Sequence, residues 1–387
     1  MKAPRRLRIA LLGARGIPAS YGGYETLLEE LASRLVASGA FDVTVYGRSA
    51  EVQRGLVERG LPANTRTYRG VRLVVLPTIR TRHLDTPVHT LLSVLHALRE
   101  DYDAALVVNH ANALFVPLLK TSGIPVALHA DGLEQQRGKW GLLGRTVYEL
   151  SERLACSVAD RLVTDAAVIR DHYLERYGVA SQMLLYGIAE GAAVGRGILD
   201  RLGLEPRRYF LYVSRFEPEN NPHRVAEAYR LVGGDLPLVM LGDAPHQAKF
   251  IAELKAGADP RIVFPGALYG EPYRELQSHA LAYIQATEVG GTHPALVEAM
   301  GFGNCVVVND TEENREVAGV VARYFRAAEP ATLAARLEEI LADPAAARAD
   351  GARARAEAQA RFSWDRVVAG YARLFQEMAG GFTDGPK

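Results

Sequence analysis

The chain has 387 residues, 48% of them hydrophobic, with 36 glycines and 19 prolines; at ~150 residues per domain this fits two or three domains, each able to bury a core. Lys plus Arg total 45 and Asp plus Glu total 45, a balance that argues against a protein built mainly to bind nucleic acid, where a basic excess supplies the affinity. Two cysteines, Cys156 and Cys305, make no disulfide framework, and no apolar run reaches the ~18–20 residues of a membrane span, so a cytoplasmic protein without a cleavable signal is expected.

Apolar runs at residues 8–13, 42–46, 71–77, 104–108, 124–128 and 161–164 are rich in Val, Ile and Leu. Near-continuous apolarity of this kind suits strands covered on both faces of a parallel sheet. Helical patterns lie between them, as at 24–35, where Leu27, Leu28, Leu31 and Leu35 share one face. The alternation restarts after 187–207, with runs at 209–213, 236–241, 261–264, 281–284 and 305–308. This predicts an α/β chain of two Rossmann-like, doubly wound domains, at 1–187 and 207–364, with a linker at 188–206. The Ala- and Arg-rich stretch 345–361 reads as a solvated helix. A last helix, 364–378, has Val367, Val368, Tyr371, Leu374 and Phe375 on one side and needs a packing partner.

Ligands of open parallel sheets collect at the carboxyl ends of the strands, so the loops there are the places to look for chemistry. After the first strand, Gly22 and Gly23 open a helix whose free amides and dipole favour an anion; a tight turn without a ligand is equally consistent, with Glu25 as a first-turn carboxylate. After the fifth run, Asp131, Glu134, Arg137 and Lys139 concentrate charge, although a structural turn explains any one of them. His110, after the fourth run, is either a site residue or a packing histidine. Arg215 follows the first strand of the second half, placed for bidentate contact with a phosphate or for a salt bridge to Glu217 or Glu219. Finally, Gly290 and Gly291 lead into a helix whose amides at 292–296 suit a diphosphate, with Glu298 about one turn in as an acceptor for ribose hydroxyls. No metal-ligand spacing and no Gly-x-Ser-x-Gly nucleophile elbow occurs.

Together, residues 16–25 (GIPASYGGYE), 131–134 (DGLE) with 137–140 (RGKW), 215–221 (RFEPENN), 290–303 (GGTHPALVEAMGFG) and 362–365 (FSWD) resemble the retaining nucleotide-sugar glycosyltransferases of the GT-B fold, in the large family-four group. Within it they are similar to the bacterial rhamnosyltransferase-like branch of cell-surface polysaccharide assembly. The resemblance implies two domains facing across a cleft, the first for the acceptor and the second for the donor, with residues 365–387 returning to the first. It assigns Asp131, Arg215 and Glu298 to catalysis. Donor contacts would be Gly22, Gly23, Asn220, Gly290, Gly291, Thr292, His293, Pro294, Ala295 and Leu296, and acceptor contacts Tyr21, His110, Glu134, Arg137 and Lys139.

Three positions depart from the family pattern. Gly290 stands where the first of two motif glutamates is usual, with Glu288 nearby; Asn220 stands for a phosphate-binding Lys, and Asp131 for a His. The last two are shared with the rhamnosyltransferase-like branch, which implies a deoxysugar on dTDP or UDP. The implied reaction retains anomeric configuration and needs neither metal nor cofactor. A glycan or lipid-linked acceptor is implied as partner. The basic residues Lys2, Arg5, Arg6, Arg8 and Arg80 beside the amphipathic 88–98 stretch suit either an anionic membrane or a plain solvated surface. An epimerase on the same fold, or an inactive nucleotide-sugar-binding protein lacking the motif Glu and Lys, are the alternatives.

Overall fold

In a computed structural model, all residues are described except 1–4, 20–21, 82–83, 131–141, 189–194, 245–246 and 381–387, with only the backbone at 142–145 and 147. The chain forms two units, 1–185 with 364–387, and 186–363.

The first unit is built on β1 (Leu7–Leu12), β2 (Phe41–Arg48), β3 (Thr67–Tyr68), β4 (Val71–Leu76), β5 (Ala104–Val108), β6 (Val126–Ala130), β7 (Arg161–Thr164) and β8 (Gln182–Met183). They lie in the order β3-β4-β2-β1-β5-β6-β7-β8, parallel but for the β3–β4 pair. Every residue of β5 and β6 is buried, which is why those runs are unbroken in sequence. Its helices are α1 (Gly23–Ala37), α2 (Ser49–Glu58), α3 (Asp85–Ala97), α4 (Val116–Lys120), α5 (Leu142–Val158) and α6 (Ala167–Tyr177). On α1 the expected leucines 27, 28, 31 and 35 are all buried.

The second unit has an all-parallel sheet of β9 (Phe210–Val213), β10 (Leu238–Leu241), β11 (Ile262–Gly266), β12 (Ala282–Gln285), β13 (Cys305–Asn309) and β14 (Arg323–Phe325), ordered β11-β10-β9-β12-β13-β14. Around it lie α7 (Gly197–Leu202), α8 (Pro222–Tyr229), α9 (Ala248–Ala256), α10 (Glu271–His279), α11 (Pro294–Gly301), α12 (Glu312–Ala318), α13 (Pro330–Ala342) and α14 (Pro344–Arg361). The strands β3, β8 and β14 have no apolar run to announce them. Each is only two or three residues long and lies at a sheet edge, where pairing on one side alone demands little apolar surface.

Two expectations change. The stretch 195–206, read as linker, contains α7, and its Ile198 amide donates to the buried Glu275 carboxylate at 2.9 Å. With Ile198 and Leu199 buried, this stretch is part of the second unit. Helix α14 is not fully solvated either: Ala347, Gly351, Ala354 and Ala358 are buried, and the helix packs on α11 and β13. A face of Ala and Gly carries little hydrophobic signal, yet it lets two backbones come close. The last helix, α15 (Trp364–Ala379), finds its partner in the first unit, packing on α1. Phe375 meets Phe41 edge-on at 6.4 Å, and the Arg34 guanidinium lies 5.6 Å from the Trp364 ring.

At Gly351 an added Cβ would run into the Gly303 carbonyl oxygen. Gly→Ala inside a helix ordinarily stabilises by up to ~1 kcal/mol; here the sign should reverse, with Gly351→Ala costing ~1–3 kcal/mol through overpacking. Urea unfolding measures this, and an unchanged or raised midpoint would count against the close approach.

Candidate active site

In the second sheet β9 lies between β10 and β12. Strand order reverses there, so the loops leaving β9 and β12 stand side by side. Asn221, in left-handed conformation at φ 58°, joins them: its Nδ2 donates to the Ala286 carbonyl and to Glu288 Oε1, each at 2.9 Å. The Glu288 amide answers with a bond to the Glu219 carbonyl at 3.1 Å. Asn220, expected to face a donor, is 4% exposed and gives its Nδ2 to the Arg215 carbonyl at 2.8 Å. It therefore shapes the loop bearing Arg215 and has no face to offer a phosphate. The Arg215 side chain is 36% exposed, and its Nη1 lies 3.8 Å from the mostly buried Glu217 carboxylate.

The loop after β12 is clamped at the Thr287 carbonyl by Nδ2 of Asn309 at 3.3 Å and of Asn314 at 3.2 Å. Gly290 has φ +152°, and an added Cβ would lie 2.6 Å from Cε1 of His293. The glycine is thus required by both its conformation and the imidazole beside it. Nε2 of His293 lies 3.1 Å from the Thr287 hydroxyl. Of the amides expected to cradle a diphosphate, two drop out. Pro294 has no N–H, and the Leu296 N–H goes to the His293 carbonyl at 3.0 Å, with its side chain fully buried.

Glu298, in α11, receives the hydroxyl proton of Tyr273 on α10, and Tyr273 in turn receives Nε2 of Gln277 at 3.1 Å. Burial, then the Glu298 charge, push the phenol well above its ordinary pKa of 10.0, so it stays a donor.

In the first sheet β1 lies between β2 and β5, again a point where strand order reverses. The loop after β1 turns at Gly13, φ +98°, where a Cβ would strike the Val108 carbonyl and come 2.8 Å from Nδ2 of Asn112. Two carboxylates of α1 pin this loop: Glu25 accepts the Arg15 amide at 2.9 Å, and Glu29 the Ala19 amide at 2.6 Å. Gly22 is the N-cap of α1 in extended conformation, and Gly23 is its first residue.

Two sequence models match the chain, one for each half. Residues 22–186 match "Glycosyl transferase 4-like domain", and residues 199–361 match "Glycosyl transferases group 1". The chain is a glycosyltransferase of the GT-B fold. No curated protein matches it in sequence. Among solved structures, sucrose-phosphate synthase from Thermosynechococcus elongatus superposes with a TM-score of 0.80 at 17% identity, covering 97% of this chain and 100% of that one. The Anabaena protein HepE, in complex with UDP-glucose, gives 0.77 at 16% identity, covering 96% and 100%. A UDP-forming trehalose-phosphate synthase from Burkholderia vietnamiensis gives 0.71 at 12%, covering 98% of each.

Within this glycosyltransferase, the structure brings Arg215, Gly290, Gly291, Thr292, His293 and Glu298 onto adjoining loops of the second unit. It withdraws His110, which is 1% exposed in a 3₁₀ turn with its ring edge-on to Tyr148 at 5.6 Å; it packs, and the expected acceptor contact is closed off by burial. Tyr21, Asp131, Glu134, Arg137 and Lys139 lie outside the described residues. Among the described residues no group of three or more His, Cys, Asp or Glu is placed to hold a metal ion, and no helix is long and apolar enough to cross a membrane.

Sequence reading missed Tyr273, whose partner lies 25 positions away, and a polar group at the end of β2. There Arg48, 3% exposed, pairs with Asp85 and donates to the Thr86 hydroxyl at 3.0 Å, with His89 buried alongside. Nothing local in the sequence joins positions 48, 85 and 89; only the packing of α3 beside β2 does.

Burial, then the nearby Arg48 charge, push His89 down to about 4. The unfolded chain therefore takes up this proton first, near pH 6.5, so the stability His89 contributes is complete above that pH and declines as pH falls toward 4. Burial acts in the same direction on His129, taking it to about 3. His89→Gln should flatten the fall in unfolding free energy between pH 6.5 and 4. Urea titrations across that range test it, and a slope equal to wild type would place the imidazole in water.

Proposed function

We propose that the chain moves a sugar, rhamnose or another hexose, from a nucleoside diphosphate to a hydroxyl of a glycan or lipid-linked acceptor, with retention at the anomeric carbon, in cell-surface polysaccharide synthesis. The observation that carries the donor reading is the junction of the two loops at the β9/β12 reversal. It sets a partly exposed arginine, a run of amides before α11 and an anchored carboxylate on one edge of one sheet. That is the composition a nucleoside diphosphate calls for: cation and helix amides for the phosphates, carboxylate for the pentose. The complex of HepE with UDP-glucose supports a nucleotide-sugar donor.

As the glycosidic bond breaks, negative charge gathers on the departing diphosphate. Arg215 and the amides of 291–293 and 295 stabilise it without reorganising, which makes them the main catalytic term. Fixed positive groups supply the charge that a metal provides elsewhere, so no cofactor enters the proposal. The leaving phosphate oxygen takes the acceptor proton on the same face, and Asp131 steadies the oxocarbenium-like sugar.

A peripheral membrane site for the acceptor side is part of the proposal. It is supported by Leu91 and Leu95 on α3 and by Leu114 and Leu118 around α4, all exposed, on elements that contact one another. Such a surface binds lipid through buried apolar area.

Arg215→Ala should lower transfer by about 10²–10³, equivalent to ~2–4 kcal/mol of barrier, and EDTA should leave the wild-type rate unchanged. Steady-state assays decide both. A variant within twofold of wild type removes Arg215 from the phosphates, and a magnesium-reversible loss in EDTA removes the metal-free mechanism. For the membrane, Leu91→Asp with Leu114→Asp should abolish sedimentation with anionic vesicles while activity on a soluble acceptor persists; undiminished sedimentation would refute this surface.

A further inference from the structure

We infer that Tyr273 is a positioning residue that fixes the Glu298 carboxylate to read the pentose hydroxyls of the nucleotide, an inference that rests on the donor site proposed above. The chain of hydrogen bonds behind Glu298 has only one direction. It begins at Arg207, whose guanidinium can only donate and gives Nη1 to Asn304 Oδ1 at 3.3 Å. That contact orients the Asn304 amide, whose Nδ2 donates to the Gln277 carbonyl at 2.7 Å and to Gln277 Oε1 at 3.4 Å. Gln277 is thereby oriented in turn, and its Nε2 donates to the Ala295 carbonyl at 3.3 Å and to the Tyr273 hydroxyl at 3.1 Å. The phenolic oxygen already receives a proton, so its own proton goes to Oε2 of Glu298.

Two properties of Glu298 follow. Its Oε2 is held as an acceptor, because the phenolic proton is directed at it. Its plane is also set, since a terminal carboxylate torsion is otherwise broad and roughly two-fold, and an anchored oxygen removes that freedom. A pentose presents its O–H donors at fixed positions, and a carboxylate already oriented for them loses less entropy on binding. Asn304 and Gln277 are both fully buried, so the alignment of the phenol is enforced from inside the unit. Tyr273 makes this arrangement possible without touching the phosphates, which separates its effect from that of Arg215.

The test is a cycle of ligand and protein changes by calorimetric titration. The probes are UDP with 2′,3′-dideoxy-UDP and dTDP with 2′,3′-dideoxy-TDP, each against wild type and Tyr273→Phe. Wild type should bind the hydroxylated partner of the preferred pair roughly ten- to a hundredfold more tightly, the value of hydrogen bonds to a charged group. Tyr273→Phe should cut that ratio at least about threefold while the dideoxy affinity stays within about twofold, because only the anchored geometry is lost. A ratio unchanged in Tyr273→Phe overturns the inference and leaves the donor site standing. Failure of wild type to bind either nucleoside diphosphate overturns the donor site, and the inference with it. If Tyr273→Phe does not fold, Gln277→Met removes the donor behind the phenol at similar volume and should move the same ratio in the same direction.

Discussion

A parallel sheet whose strand order reverses brings two loops together with backbone groups that no strand can satisfy, and in the second unit one side chain resolves this. Both amide hydrogens of Asn221 are committed, one to each side of the Ala286–Glu288 turn. A buried carbonyl left unpaired there would cost ~1–3 kcal/mol. In the second unit the donor assignment depends on this joint, because it sets where the Arg215 loop lies relative to the Gly290 loop. Asn220, one residue earlier, holds the Arg215 carbonyl. Asn309 and Asn314 hold the Thr287 carbonyl from the other side. Amides with two donors and one acceptor suit such joints, since each can bridge two backbone groups without adding charge.

The electrostatic design follows from that frame. Arg215 is a guanidinium with partial exposure and a carboxylate counterion at Glu217. Glu298 is the opposite case, a carboxylate tied to an uncharged phenol and hence oriented without being neutralised. The two differ in what lies beside them, a carboxylate for Arg215 and a buried polar chain for Glu298. In the first unit the pinning is done by carboxylates on backbone: Glu25 and Glu29 take amides of the loop after β1, at the point where Gly13 packs against Val108. In both units a close backbone approach and a side chain bonded to the loop replace any dependence on loop stiffness.

Much of this was legible in sequence. The unbroken runs of β5, β6, β9 and β13 mark interior strands, because burial on both faces excludes polar residues. Leu27, Leu28, Leu31 and Leu35 mark α1 by spacing alone. Loop positions were legible for a related reason, since a glycine pair before a helix and an arginine just past a strand are local patterns. Edge strands β3, β8 and β14 were not legible, nor was the buried side of α14, where alanine and glycine leave no polarity contrast to read.

Side-chain roles divided more sharply. Composition and order determined an α/β chain in two halves, the strands that carry loops, and the residue types available at their ends. What each polar residue does was decided by tertiary neighbours. His110 is a packing residue because Tyr148 covers it, Asn220 braces a loop because the Arg215 carbonyl is within reach, and Tyr273 matters because α10 sets it beside Glu298. Hydrophobic periodicity is a property of neighbours along the chain, so one strand or helix suffices to reveal it. Hydrogen-bond direction and burial are properties of neighbours in space, and they come into being only when the elements pack.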